Sequence, residues 1–144
     1  MNESNQKRNN YIVLGEASYI NGEKEKAVEF YKKALEYDGN NDIDIYFNLA
    51  IIYDELDLVD ESISSYQKII DKDKKQAGAF YGKAIMLERK GLIDEALDNY
   101  LEAIKIDPKY DRAYYFAANL YDIKGDFDNA IKYYEKVLTL KPDD

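Results

Sequence analysis

Neither cysteine nor histidine occurs in the 144 residues. Disulfides, thiol nucleophiles, thiolate metal sites and every imidazole base or ligand are thereby excluded. Tryptophan is absent too, and proline occurs only at Pro108 and Pro142. No stretch reaches the roughly 18 uninterrupted apolar residues of a membrane span. The most apolar passages, 43–53 and 113–121, are broken by Asp44, Asn48 and Asn119. Residues 1–10 lack the apolar centre of a secretory signal, so a cytoplasmic location without membrane contact is expected. Positive charge is also short: 29 acidic residues face 20 basic ones, a net charge of −9. A surface of that sign repels phosphate backbones, and nucleic acid is not an expected partner.

What the chain does have is a period. Ala27, Ser62, Ala96 and Ala130 recur 34 or 35 residues apart, and four places after each stands a tyrosine: Tyr31, Tyr66, Tyr100 and Tyr134. Three further columns keep the phase: Tyr11, Tyr46, Phe80 and Tyr114; Gly22, Asp57, Gly91 and Gly125; Ala34, Ile69, Ala103 and Val137. Self-similarity at this period marks a repeat architecture. It predicts four units over 8–41, 43–76, 77–110 and 111–144, with Asp42 inserted and residues 1–7 a polar N-terminal tail.

Inside each unit the apolar residues follow helical spacing on both sides of the glycine column, for example Tyr114, Ala117, Ala118 and Tyr121 before Gly125, then Phe127, Ala130, Ile131 and Tyr134 after it. Each unit is therefore two helices joined by a turn. The second helices carry an acid in the first turn, Glu25, Asp60, Asp94 or Asp128, where a carboxylate suits the positive helix end. Pro108 and Pro142 lie just past second helices and help to stop them, and Asp38-Gly39 makes the corresponding turn in the first unit.

A 34-residue helix–turn–helix unit with these large aromatic, small and terminal proline positions resembles the tetratricopeptide repeat family, and the resemblance covers all but the first seven residues. Asp57, Ser62, Ile69, Val137, Lys74 and Gly39 depart from the family pattern, and the second unit is the least typical. The resemblance implies an all-α, right-handed solenoid of four repeats whose first helices line a concave face, acting as a scaffold that holds other proteins.

Nine of the fifteen tyrosines occupy repeating core columns. On the other side of the first helices one column reads Ile12, Phe47, Tyr81 and Tyr115, and the next Glu16, Ile51, Ile85 and Asn119. A plain surface helix would be polar there. The family places this face in its inner groove, where Asp54, Glu88 and Asp122, with Asp44 and Glu55, outweigh Arg89 and Arg112. These residues either line a groove for an apolar peptide with basic flanks or merely pack between neighbouring first helices. Peptide-binding relatives that clamp a terminal carboxylate use lysine, arginine and asparagine. The matching positions here, Ile12, Glu16, Ile51, Tyr81 and Ile85, hold no cation, which argues against a chaperone-tail adaptor.

Chemical motifs are absent or incomplete. Residues 38–44 start like a calcium loop, but Ile43 replaces its glycine and Leu49 its bidentate glutamate. Residues 71–75 read as the charged end of a helix, and there is no phosphate-cradling glycine loop or base–nucleophile pair. No enzymatic activity, metal or cofactor is expected. Repeat arrays usually end in a polar cap, and the sequence after the fourth unit shows no capping helix. Phe116, Tyr133, Val137 and Leu140 are thus expected on a face open to self-association, or the chain is part of a longer repeat protein.

Overall fold

A computed structural model of the chain describes residues 2–140, and every regular element in them is a helix. In order these are α1 (Glu3–Ile20), α2 (Lys24–Ala34), α3 (Asp42–Glu55), α4 (Val59–Lys72), α5 (Ala77–Arg89), α6 (Ile93–Ile106), α7 (Asp111–Ile123) and α8 (Phe127–Leu140). They pair as the period predicts, α1 with α2, α3 with α4, α5 with α6 and α7 with α8. The chain divides into two compact units, Met1–Lys72 and Asp73–Asp144, each holding two hairpins. Lys141, Pro142, Asp143 and Asp144, where proline was expected to stop the last helix, lie outside the described residues.

The hairpin turns show why the turn column is selective. Gly22, Gly91 and Gly125 have φ of 83°, 78° and 80°, and Asp57 is held at φ 60°. This left-handed region costs a Cβ-bearing residue strain that glycine avoids. In all four turns the amide beyond this residue reaches back to a carbonyl in the last turn of the first helix: Glu23 to Ser18, Leu58 to Tyr53, Leu92 to Leu87 and Asp126 to Tyr121, at 2.8–3.0 Å. That closure satisfies a carbonyl the helix end would otherwise leave open.

The first unit contains a staple that periodicity does not reveal. Arg8 is only 2% exposed. Its Nη1 donates to the carbonyls of Ala34 (2.9 Å) and Tyr37 (2.5 Å), its Nε to Asn41 Oδ1 (2.9 Å), and its Nη2 to the Asp42 carboxylate. Lys72 Nζ reaches the other Asp42 oxygen at 3.2 Å. The inserted residue therefore neutralises a buried guanidinium, and α3 starts on it. Partial burial raises the Asp42 carboxyl, but hydrogen bonds and charge from Arg8 and Lys72 outweigh that and hold it below the ordinary carboxylate value. Gly39 replaces the usual proline because a Cβ there would lie 2.1 Å from Arg8 Nε. Around this staple, Ala27, Val28, Tyr31 and Ala34 of α2 form one core with Ile45, Leu49, Ile52 and Tyr53 of α3.

Residues 3–7, expected as a tail, instead form the first turns of α1. Asn2 Oδ1 accepts the Asn5 amide at 2.8 Å, and Glu3 pairs with Lys7 at 2.9 Å. An asparagine cap followed by an acid is a helix start, so polarity alone misplaced the boundary. Ser62, which departs from the small apolar pattern, is buried and donates to the Ala50 carbonyl at 2.8 Å.

Among the described residues the second unit holds no buried charge. Its interior is small and aromatic: Ala79 and Ala84 of α5, Ala96, Tyr100 and Ala103 of α6, and Ala113, Ala117, Ala118 and Leu120 of α7 are all fully buried. Lys124 Nζ on the α7 cap meets Asp94 of α6 at 2.5 Å.

Candidate functional site

In the second unit α5, α6 and α7 bring a ring cluster together. Tyr81 lies 4.9 Å from Tyr110, 5.9 Å from Tyr100 and 6.0 Å from Phe116, and Phe116 stacks on Tyr100 at 5.8 Å. Tyr115 contacts Phe116 edge-on at 5.6 Å and Tyr134 at 5.9 Å, yet it remains 48% exposed. Beside these rings is an open cleft of about 400 Å³ lined by Tyr81, Asp111, Arg112, Tyr115, Phe116 and Val137. Offset and edge-on ring pairs of this kind make a stiff apolar wall.

Polar atoms edge the wall. The Tyr100 hydroxyl donates to Glu88 at 2.8 Å, and the Tyr134 hydroxyl donates to Asn119. Burial, then the bond to Glu88 and its charge, push the Tyr100 phenol well above its ordinary value. Burial also raises Tyr81, with the Arg112 cation opposing it and Asp111 adding to it. Tyr134 is raised by burial, then by the charge of Asp122. Ile85 is half-buried, Asn119 is half-buried under its hydrogen bond, and Asp122 is exposed.

The same helix positions in the first unit differ in which residues are exposed. Ile12 is partly buried against the α2–α3 core. Phe47 meets Tyr66 edge-on at 6.2 Å, Ile51 is exposed, Asp54 is half-buried and Glu16 is exposed. Burial, then the Asp54 charge, raises the Tyr66 phenol, and burial, then Glu16, raises Tyr31. A second-helix tyrosine beside a first-helix acid thus recurs in every repeat. Tyr19 adds a feature not foreseen: its hydroxyl donates to Glu55 Oε1 at 2.5 Å, with Lys24 3.3 Å from the same carboxylate.

The four residues expected on an end face separate. Phe116 stacks among the rings of α5 and α6, and both it and Val137 line the cleft with Tyr81 and Tyr115. Tyr133 is half-buried, with rings of Tyr114 and Tyr121 at 5.8 and 5.1 Å, and Leu140 is half-buried at the end of α8. The exposed apolar side chains of α8 are Phe127, Ile131 and Leu138. Helical phase carried over from α6 would have found them, since Ile131 and Leu138 repeat Leu97 and Ile104.

Among the described residues no group of three or more His, Cys, Asp or Glu could hold a metal ion, and no helix is long and apolar enough to cross a membrane. Three family models, each a tetratricopeptide repeat, match residues 9–41, 47–111 and 111–144. No curated protein sequence matches the chain. Among solved structures, MamA is 30% identical, with a TM-score of 0.82 over 90% of this chain and 75% of MamA. YrrB, described as a tetratricopeptide repeat protein with an unusual peptide-binding site, is 22% identical with a TM-score of 0.78, over 92% of this chain and 68% of its own. A tetratricopeptide repeat protein from Parabacteroides merdae reaches a TM-score of 0.92 at 19% identity, over 96% of this chain and 55% of its own. With tetratricopeptide repeat models matching most of its length and MamA 30% identical over 90% of it, the chain belongs to the tetratricopeptide repeat family.

Proposed function

We propose that this chain is a non-catalytic protein-interaction scaffold whose first-helix faces take a peptide or protein segment with apolar anchors and basic flanks. The observation that carries the reading is the cleft of the second unit: about 400 Å³ of open space walled by Tyr81, Tyr115 and Phe116, with Tyr115 half out in water. An apolar side chain entering it would be desolvated against rings already fixed by their neighbours. Little ordering cost then opposes binding. Asp111 and Asp122 in the second unit would attract Lys or Arg next to the anchor, raising the encounter rate at low salt. Arg112 at the cleft edge favours an anchor that is itself uncharged. The fold likeness to YrrB, itself described by a peptide-binding site, is in keeping with this use.

The test uses the whole chain as bait in a native cell extract, followed by titration with a synthetic basic–apolar segment of the captured partner. Binding should weaken as salt rises and be lost with Tyr81→Ala, while Asp122→Lys should slow association. Capture indifferent both to salt and to Tyr81→Ala would overturn the reading.

A further inference from the structure

We propose that copies of this chain associate head to tail, the outer face of α8 in one copy seating on the outer face of α1 in the next. The chain builds this kind of contact twice internally. In the first unit α2 covers α3, burying Val28 to 8% and Leu49 to 3% exposure in one core. In the second unit α6 packs on α7, where Tyr100 stacks on Phe116, and Leu97 is 6% exposed. Ile131 stands on α8 where Leu97 stands on α6, yet it is 56% exposed. Leu138 is likewise exposed where Ile104 is half-buried. Among the described residues nothing covers that side of α8.

The complementary half lies on α1. Leu14 holds the repeat position of Leu49 and of fully buried Ala117, but it is 43% exposed, and Ala17 beside it is exposed where α3 buries Ile52. Two hollows of about 590 and 340 Å³ share Leu14 as a wall, and they leave room for the branched side chains of an incoming helix. At the polar edge, where Asp94 pairs with Lys124 across α6 and α7, α8 carries Asp128 and α1 is followed by Asn21, whose amide donates to Glu23 at 2.7 Å and keeps one further N–H. In this proposal the two faces are unlike halves of one interface, each taken by a second copy, and the contact is heterologous. This inference is independent of the cleft at Tyr81 and Tyr115.

Light scattering over a concentration series, on wild type, Ile131→Glu and Leu14→Glu, tests it, with helicity and melting temperature checking that each exposed-site variant folds. Should either not fold, Leu138→Lys stands in for Ile131→Glu and Ala17→Glu for Leu14→Glu. The wild-type mass should rise with concentration, and each variant alone should stay monomeric. An equimolar mixture of Ile131→Glu and Leu14→Glu should form one-to-one dimers and stop there, because each variant keeps one intact face. Wild type that is monomeric throughout would overturn the proposal and leave both faces to other partners. Leu14→Glu associating as wild type does, or a mixture that fails to dimerise, would overturn it as well, pointing to an α8–α8 contact or to none.

Discussion

The two units reach the same helix pairing by different chemistry. The first sets a guanidinium at its centre and surrounds it with a carboxylate, an amide and two carbonyls, all hydrogen-bonded to it. The second buries alanines and rings and keeps its charges at the edge. A buried charge tolerates no loose partner, because an unpaired one is far costlier than an imperfect apolar contact. Rings packed in offset and edge-on pairs can leave a gap, and the second unit leaves one beside Tyr81. The interiors differ in chemistry, while exposure along the candidate residues is similar: Glu16 and Ile51 are exposed in the first unit, Tyr115 and Asp122 in the second.

The largest expected effect is therefore at the staple. Arg8→Met leaves the Ala34 and Tyr37 carbonyls without their donor and Asp42 with Lys72 alone, and should destabilise the first unit by about 3 kcal/mol. Gly39→Ala should act in the same direction by displacing the guanidinium. Native-state hydrogen exchange should show α1, α2 and the start of α3 losing protection while α7 and α8 keep theirs, as expected where stability is a sum of neighbour terms. Equal loss in both units would break the contrast drawn between them.

Phe116→Ala comes next. Its ring faces both Tyr81 and Tyr100 but is only half-buried, so a cost of about 2 kcal/mol is expected, below that of a fully buried ring. Tyr100→Phe should cost only about 1 kcal/mol, since it removes the hydroxyl bond to Glu88 and keeps the ring. Urea denaturation of both variants measures the ratio. If Tyr100→Phe cost the more, hydrogen bonding rather than ring packing would hold the second unit.

Titration should separate the units at the acid end. The folded chain holds Asp42 below the ordinary carboxylate value, so it binds that proton less readily than the unfolded chain does. The resulting stability is present above that value and fades as pH falls through the lower, folded one. Acid melting followed by hydrogen exchange should open the first unit first, and Asp42→Asn should reduce the asymmetry. At the alkaline end the sign reverses. Burial and Tyr133 push Tyr121 up to about 12, and Tyr100 is raised by burial and Glu88, so the folded chain keeps protons that the unfolded one releases. Stability should then fall as pH rises past the ordinary tyrosine value, most of all in the second unit.

These contrasts also mark what the sequence could tell. Helix pairs, turn positions and first-turn acids were legible because each depends on residues a few places apart, repeated four times. Arg8 was not, since its partners lie 26 to 34 residues away and no other repeat has an arginine there. Gly39 and Asp42 looked like irregularities and are the conditions for burying that charge. On the candidate site, the columns put Tyr81 and Tyr115 at one repeat position, and both line one cleft. They gave no sign that Phe116 and Val137 line that cleft, because helical phase gives a direction around one helix and not which neighbour fills it.

The smallest predicted effect concerns a position where the units should behave alike. Asp57 occupies the glycine column of the first unit at φ 60°, and its turn closes through the same Leu58-to-Tyr53 bond as the glycine turns close through theirs. Asp57→Gly relieves about 1 kcal/mol of left-handed strain but also frees the unfolded chain, so a net gain of about 0.5 kcal/mol is expected. Asp57→Val should lose about 1–2 kcal/mol, because a β-branched residue tolerates that conformation worst. Gly125→Ala, the same change of demand in the second unit, should lose about 1 kcal/mol with nothing near its Cβ to complicate the result. Agreement of the three by denaturant unfolding would place the cost in backbone conformation, common to both units. A gain at Asp57 well above that from strain relief would instead mean that its carboxylate disturbs the first unit's charge balance.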